Sequence, residues 1–269
     1  MFPEDYSIKH ERLIRLRVAE GFATPKGRKT KEEEEVEDGC LNELIGRNLV
    51  DVNSTEIDGQ NNPKKLAELT GLRKLGLTDL RAEHATELCC AVEKMVLLST
   101  LKVRSTNEDE YLDLDHIRSP PRSLQRLCLA GHLISLPQWF PQLESVVKIS
   151  LKRDPDANPL EALQALPNLI ELNLVDYYTG EKLEVQVETF QKLKILRIQQ
   201  LDQLNLMIVE NGAMPVLKKL TMSKCENLRL LPVGIEGLTK LEELCVHDMH
   251  AEFMAQLRRE TEAFQEFSF

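Results

Sequence analysis

Eight times along the chain, apolar residues recur at positions one, four and six of a short unit: Leu72-Leu75-Leu77, Leu98-Leu101-Val103, Leu124-Leu127-Leu129, Val146-Ile149-Leu151, Leu169-Leu172-Leu174, Leu193-Leu196-Ile198, Leu217-Leu220-Met222 and Leu241-Leu244-Val246. All 24 positions are apolar in a chain that is 42% hydrophobic. Random placement would give this on the order of one time in a billion, before the choice of register is counted. Successive middle residues lie 26, 26, 22, 23, 24, 24 and 24 residues apart. Neither a helix, which repeats near 3.6, nor one alternating strand accounts for a unit that changes element partway. One unit cannot cover its own leucine row, so the units must stack, each fully buried Leu or Ile contributing roughly 1.5 to 3 kcal/mol against chain entropy.

These spacings fall in the window of about 20 to 29 residues of leucine-rich repeats, whose unit reads LxxLxLxx(N/C)xL. The expected fold class is therefore α/β: a solenoid of about eight repeats over residues 66–250, each giving one short strand to a curved parallel sheet. Cys225 takes the turn position, where Asn or Cys satisfies neighbouring backbone groups. "HATELCCAVEKM" and "NPLEALQAL" read as convex-side helices, the second with Asn158 as N-cap and Pro159 at its first position. Repeats five to eight have short returns, which predicts loops or single turns there. The tail, residues 251–269, places Phe253, Leu257, Phe264 and Phe267 at near-helical spacing and reads as a closing cap.

No apolar run approaches the roughly 18 residues that a membrane-spanning helix requires, and the first residues lack the apolar core of a secretory signal. Cys40, Cys89, Cys90, Cys128, Cys225 and Cys245 form no CxxC pair. Scattered thiols in a long chain point to a reducing compartment, so a cytoplasmic or nucleo-cytoplasmic location is expected. The net charge of -10 opposes general nucleic-acid binding, which rests on clustered Lys and Arg.

The first 56 residues carry no repeat register. "SIKHERLIRLRVAEGF" predicts an amphipathic helix with Ile8, Leu13, Leu16 and Ala19 inward, and "VEDGCLNELIGRNLVDV" a second helix running toward a strand. "FPEDYSIKHERLIRLRVAEGF" followed by "CLNELIGRNLVDV" resembles the winged-helix part of plant coiled-coil, nucleotide-binding, leucine-rich-repeat disease-resistance proteins. "LAELTGLRKLGLTDLR", "SPPRSLQRLCLAGHLISLPQWF" and "LPVGIEGLTKLEELCV" are similar to their C-terminal repeats. The resemblance implies a small α-helical, partial winged-helix remnant at 1–56, a linker at 57–65 and then the repeats. Family members usually have Trp at the position of Arg17 and a large aromatic near Gly39-Cys40. The phosphate-binding loop, the metal-binding strand and the His-Asp switch segment do not follow the winged-helix stretch, so the chain looks like a truncated or internally deleted receptor with no ADP/ATP site of its own. The resemblance implies non-enzymatic protein binding in defence: recognition of a pathogen effector or host target, or docking onto its own or a paired receptor's nucleotide-binding region. The alternatives are nucleic-acid binding through the winged helix, which 9 basic against 13 acidic residues in 1–56 oppose, and a nonfunctional receptor remnant.

Other motifs yield no chemistry. "GFATPKGRKT" departs from GxxxxGK(S/T), because five residues separate Gly21 from Gly27 and Arg28 precedes Lys29. "CVHDM" resembles the family's switch motif, but Val246 ends the eighth ladder and sends His247 and Asp248 to the open face. Cys245, His247 and His250 lack a fourth zinc ligand. Cys89 and Cys90 read as one apolar and one peripheral thiol. No nucleophile with a base and an orienting group emerges, so no catalytic residue, cofactor or metal is expected.

Residues between and just beyond the strand leucines should face solvent on the concave sheet. Four such positions in each of eight repeats hold ten basic residues, Lys74, Lys102, Arg104, Arg126, Lys148, Lys152, Arg153, Arg197, Lys219 and Lys224. Five are acidic: Asp79, Glu171, Asp176, Glu243 and Asp248. Ten less five leaves +5 on this face, and hence -15 on the remainder of a chain whose total is -10. A cationic inner surface on an anionic body would steer an acidic protein partner. Lys102, Arg104, Arg126, Lys148, Lys152, Arg153, Arg197, Lys219 and Lys224 are the expected partner-binding residues, centred on Arg104, Arg126, Lys148 and Lys152 in adjacent rungs.

Overall fold

The computed structural model describes residue 66 and residues 70–105, 111–133, 136–153 and 158–266. The winged-helix stretch expected at 1–56 and the linker at 57–65 lie outside the described residues. Eight of the described strands form one sheet: β1 (Lys74–Leu80), β2 (Thr100–Ser105), β4 (Arg126–Ala130), β6 (Lys148–Lys152), β7 (Glu171–Val175), β9 (Ile195–Gln199), β11 (Lys219–Ser223) and β12 (Glu243–His247). They pair in parallel, in chain order, with Leu75, Leu101, Leu127, Ile149, Leu172, Leu196, Leu220 and Leu244 as register partners. Identical spacing around each middle leucine dictates this register, because a slip of one residue would turn every apolar side chain to solvent.

The leucine rows form a single core. Of the 24 repeat positions, 21 are buried, and the other three, Leu241, Leu244 and Val246, are half-buried against that core. All three belong to the eighth repeat, which has a neighbouring strand on one side only. Backbone groups before each strand continue the stacking. The Ser99 carbonyl accepts from the N–H groups of Gln125 and Arg126, and those of Gln125, Val147, Ile170, Lys194 and Lys218 each accept the corresponding pair from the next repeat. The carbonyls are thereby satisfied without water at the crowded entry to the sheet.

At the other end of the strands the chain enters a left-handed turn. Arg153, Asp176, Gln200, Lys224 and Asp248 have φ between 51° and 65°. The N–H groups of the first four reach the carbonyls of Val175, Gln199, Ser223 and His247 in the next strands at 2.8 to 3.2 Å. Stacking hydrogen bonds hold these L residues in a region costing them about 1–2 kcal/mol. Gln200→Gly should therefore raise stability, by less than about 1 kcal/mol once glycine's greater chain entropy is subtracted, whereas Gln200→Val should lower it. Thermal denaturation of the two variants checks the opposite signs.

The convex side mixes elements. Helix α1 (Ala85–Lys94) occupies the return expected to be helical, with Leu88, Cys89, Ala91 and Val92 buried and Cys90 exposed. Burial, with smaller contributions from Asp113, Cys90 and Glu93, pushes the Cys89 thiol up to about 12, so it packs as an apolar group. Helix α2 (Leu160–Leu163) is a single turn with Pro159, not the expected Asn158, at its N-cap; the Asn158 side chain, one residue earlier, accepts from Leu160 N–H at 3.0 Å. The later returns differ from the expected loops and single turns. β8 (Lys182–Val185) and β10 (Leu206–Val209) pair in parallel as a second sheet, which Val233 extends by one bridge to Ile208. β3 (Tyr111–Leu112) and β5 (His132–Leu133) make a similar pair nearer the N-terminus. Gly234, at φ 82°, turns the chain immediately after the Val233 bridge, where a Cβ would lie 2.0 Å from the Val209 carbonyl oxygen.

Helix α3 (Ala251–Glu266) follows the last strand. Phe253 is fully buried, Met254 packs against the core, and the Gln256 side chain accepts from Leu231 N–H at 3.0 Å. This start of the helix packs against the end of the described core, beside the half-buried Leu241, Leu244 and Val246. Phe264 and Phe267, the last apolar positions of the expected cap, lie outside the described side chains.

Candidate functional site

Every residue in the row just before the middle leucines stands beside its counterpart on the next strand. Thr100, Arg126, Lys148, Glu171, Ile195, Lys219 and Glu243 form one continuous row from β2 to β12. Lys102, Cys128, Ser150, Asn173, Arg197, Thr221 and Cys245 form the second row, and Arg104, Ala130, Lys152, Val175, Gln199, Ser223 and His247 the third. Strand alternation places all three rows on the face opposite the leucine core. Lys102, Arg104, Arg126, Lys152 and Lys224 are exposed, and Lys148, Arg153, Arg197 and Lys219 are half-buried. Arg153 and Lys224 belong to the left-handed turn at the strand exit and not to the rows themselves.

The rows divide the cations into two classes that sequence spacing does not separate. Glu171, whose side chain is 17% exposed, accepts from Lys148 Nζ at 3.0 Å and from Arg197 Nη1, so one carboxylate joins β6, β7 and β9. Arg197 Nη1 also donates to Asn173 Oδ1 at 2.9 Å. Farther along, Glu243 accepts from Lys219 Nζ at 2.6 Å and from the Cys245 thiol at 3.0 Å. That hydrogen bond holds the Lys219 ammonium above, and the Glu243 carboxyl below, their ordinary ranges. Lys102, Arg104 and Arg126 make no ion pair with another described residue. The cationic face expected from counting is therefore open at Lys102, Arg104 and Arg126 in repeats two and three, whereas Lys148, Arg197 and Lys219 are met by Glu171 and Glu243 from β6 onward.

Burial pushes the Glu171 carboxyl up, but the hydrogen bonds and charges of Lys148 and Arg197 outweigh it and hold the pKa below the usual carboxylate value. A folded pKa below the unfolded one gives stability that is fully present above the unfolded value, near 4.5, and lost as pH falls through the folded value. The wild type should thus lose more stability than Glu171→Gln on acidification below pH about 4.5, and the variant should already be weaker at neutral pH by about 1 kcal/mol. Urea unfolding at several pH values checks it: parallel pH profiles would show that the paired carboxylate contributes nothing. Asp176 moves the other way, raised by burial and by Asp202 against the opposing charges of Arg153, His132 and Lys152.

A hollow of about 600 Å³ lies over β2, β4, β6 and β7, lined by Lys102, Arg126, Cys128, Lys148, Ser150 and Glu171 among others. His247 and Asp248 are exposed on the last rung, and Cys225 is fully buried with its Sγ 3.5 Å from the Ser223 carbonyl. Among the described residues, no group of three His, Cys, Asp or Glu is placed to hold a metal ion, and no helix is long and apolar enough to cross a membrane.

The sequence matches the family described as "Leucine-rich repeat region" over residues 11–263. It is 33% identical to the disease resistance protein RPM1 of Arabidopsis thaliana over 73% of this chain and 21% of that protein. Disease resistance RPP8-like protein 3 of the same plant is 29% identical over 71% of this chain and 22% of its own length. Disease resistance protein Pik-2 of Oryza sativa subsp. japonica is 27% identical over 76% and 22%. The chain spans about a fifth of the length of these curated relatives.

Proposed function

Because the chain belongs to the leucine-rich repeat family, in the form carried by plant disease-resistance proteins, we propose that it serves an immune receptor as a non-enzymatic recognition surface. It binds a protein through the concave sheet: a pathogen effector, a host target, or the nucleotide-binding region of its own or a paired receptor. The observation carrying this reading is the block of cations on three neighbouring strands, with Arg126 beside Lys148 and with Arg104 and Lys152 flanking Ala130. Like charges set side by side on a sheet are unfavourable for folding, so a protein that keeps them is better explained by what they meet than by stability. A curved sheet of regularly spaced, outward-pointing side chains offers many simultaneous contacts, which suits a protein partner. The free thiols fit a cytoplasmic setting for this encounter.

Reversing Arg104, Arg126, Lys148 and Lys152 to Glu, with the chain expressed in leaf tissue as a proximity-labelling fusion, should remove its specific protein neighbours. The same number of reversals on other exposed surfaces should leave them in place. A neighbour set indifferent to the concave reversals would sink the reading.

A further inference from the structure

We propose that the hollow over β2, β4, β6 and β7 is a carboxylate-binding bay that takes an extended, Glu- or Asp-rich segment of a protein partner. The inference rests on the concave-face reading above and gives the chemistry of what that face recognises. Three cations surround the hollow from three successive strands, Lys102, Arg126 and Lys148. Arg126 stands in register with Lys148, while Lys102 stands beside Cys128, which is itself followed by Ser150. The floor is thus made of small, half-buried side chains, and the long basic ones rise around it.

The same face shows how it holds a carboxylate. One rung farther on, Glu171 is gripped by cations from the strands on either side, Lys148 and Arg197. Glu171 satisfies Lys148 from one side; no described carboxylate answers Lys102 or Arg126 on the other. An incoming carboxylate between β2 and β6 would repeat the geometry of Glu171 with the partner supplying the anion, as charge-assisted hydrogen bonds favour. Strands about 4.8 Å apart put β2 and β6 about 10 Å from one another, and alternate side chains of an extended segment lie about 7 Å apart, so two carboxylates fit across the bay. Glu171 stands at the β7 wall of the hollow, but its charge is already met by Lys148 and Arg197. A nucleic acid long enough to fill the sheet would go on to meet Asp176 and Glu243, which a short acidic segment confined to the early rungs avoids.

The test uses the whole chain, fluorescence anisotropy and two labelled decapeptides, one Glu-rich and its Gln counterpart. The Glu-rich peptide should bind at low salt, weaken on raising salt, and lose at least about tenfold in affinity in Lys102→Glu with Arg126→Glu. Lys219→Glu with Lys224→Glu changes net charge equally on the far rungs, away from the bay, and should alter affinity by less than about threefold. Equal losses in the two double variants would overturn the bay in favour of diffuse charge. So would equal binding of the Gln peptide, inorganic phosphate displacing the Glu peptide at equal charge, or light scattering showing that the bay is filled by a second copy of the chain. Should the reversals disturb the fold by circular dichroism, Lys102→Ala with Arg126→Ala carries the same comparison. If the bay fails while the fourfold reversal still strips the labelled neighbours, the concave-face reading stands without it; if both fail, both fall.

Discussion

Leu172→Ala should destabilise the chain by about 2–5 kcal/mol, whereas Leu244→Ala, at the equivalent position three rungs later, should cost less than about half as much. Leu172 is fully buried between Ile149 and Leu196, its register partners on both sides. Truncation there leaves a cavity walled by two stacked rungs, and neither can move inward without losing its own hydrogen-bonded ladder. Leu244 has a neighbouring rung on one side and is half-buried, so part of its apolar surface already meets water and the site can relax. In a solenoid whose stability sums over neighbouring units, the central loss also uncouples the two halves. Urea unfolding followed by tryptophan fluorescence reads both values, because Trp139 is the single tryptophan. Equal losses would mean that the end of the sheet is packed as tightly as its middle.

Trp139 itself carries the second large effect. It is 2% exposed, packs against Phe140 with ring centroids 5.1 Å apart, and donates its indole N–H to the Leu114 carbonyl at 2.8 Å. That bond crosses between the convex returns of two successive repeats, where Asp115 also accepts from Gln138 N–H at 2.7 Å. Trp139→Ala should cost about 3–5 kcal/mol through lost burial and an unfilled cavity. Trp139→Phe keeps most of the apolar volume but removes the shorter of two bonds to the Leu114 carbonyl, leaving it the 3.4 Å bond from Ile117 N–H, which costs about 1 kcal/mol. The difference between the variants, read by circular dichroism because the fluorophore is gone, separates volume from hydrogen bonding. A Phe variant as stable as wild type would show that the Ile117 N–H suffices for the Leu114 carbonyl and that the indole bond contributes nothing.

The periodic leucines made the sheet legible because each repeat solves the same burial problem. A spacing that fits one rung fits all, so the positions of all eight concave strands followed from Leu75 and its counterparts. The helix at 85–94 was readable from its own 3.6-residue pattern. The strands at 182–185 and 206–209 were not. Segments of four residues carry little periodicity of their own, and they pair only because stacking brings successive returns side by side.

At the candidate site, the face on which each cation would stand was written in strand alternation, and the sum of charges in composition. Which cations are engaged was not, since Glu171 meets Lys148 and Arg197 across 23 and 26 positions of chain, a match that depends on register between strands. Sequence alone determined the number of rungs, their parallel order and the buried rows, because local spacing and the cost of exposing leucine act within each unit. Tertiary structure decided the left-handed exits at Arg153 and Gln200, the convex strands, and the division of the basic face into an open and a compensated half. Those features arise only where one repeat supplies the hydrogen-bond acceptor or the counter-charge that another lacks.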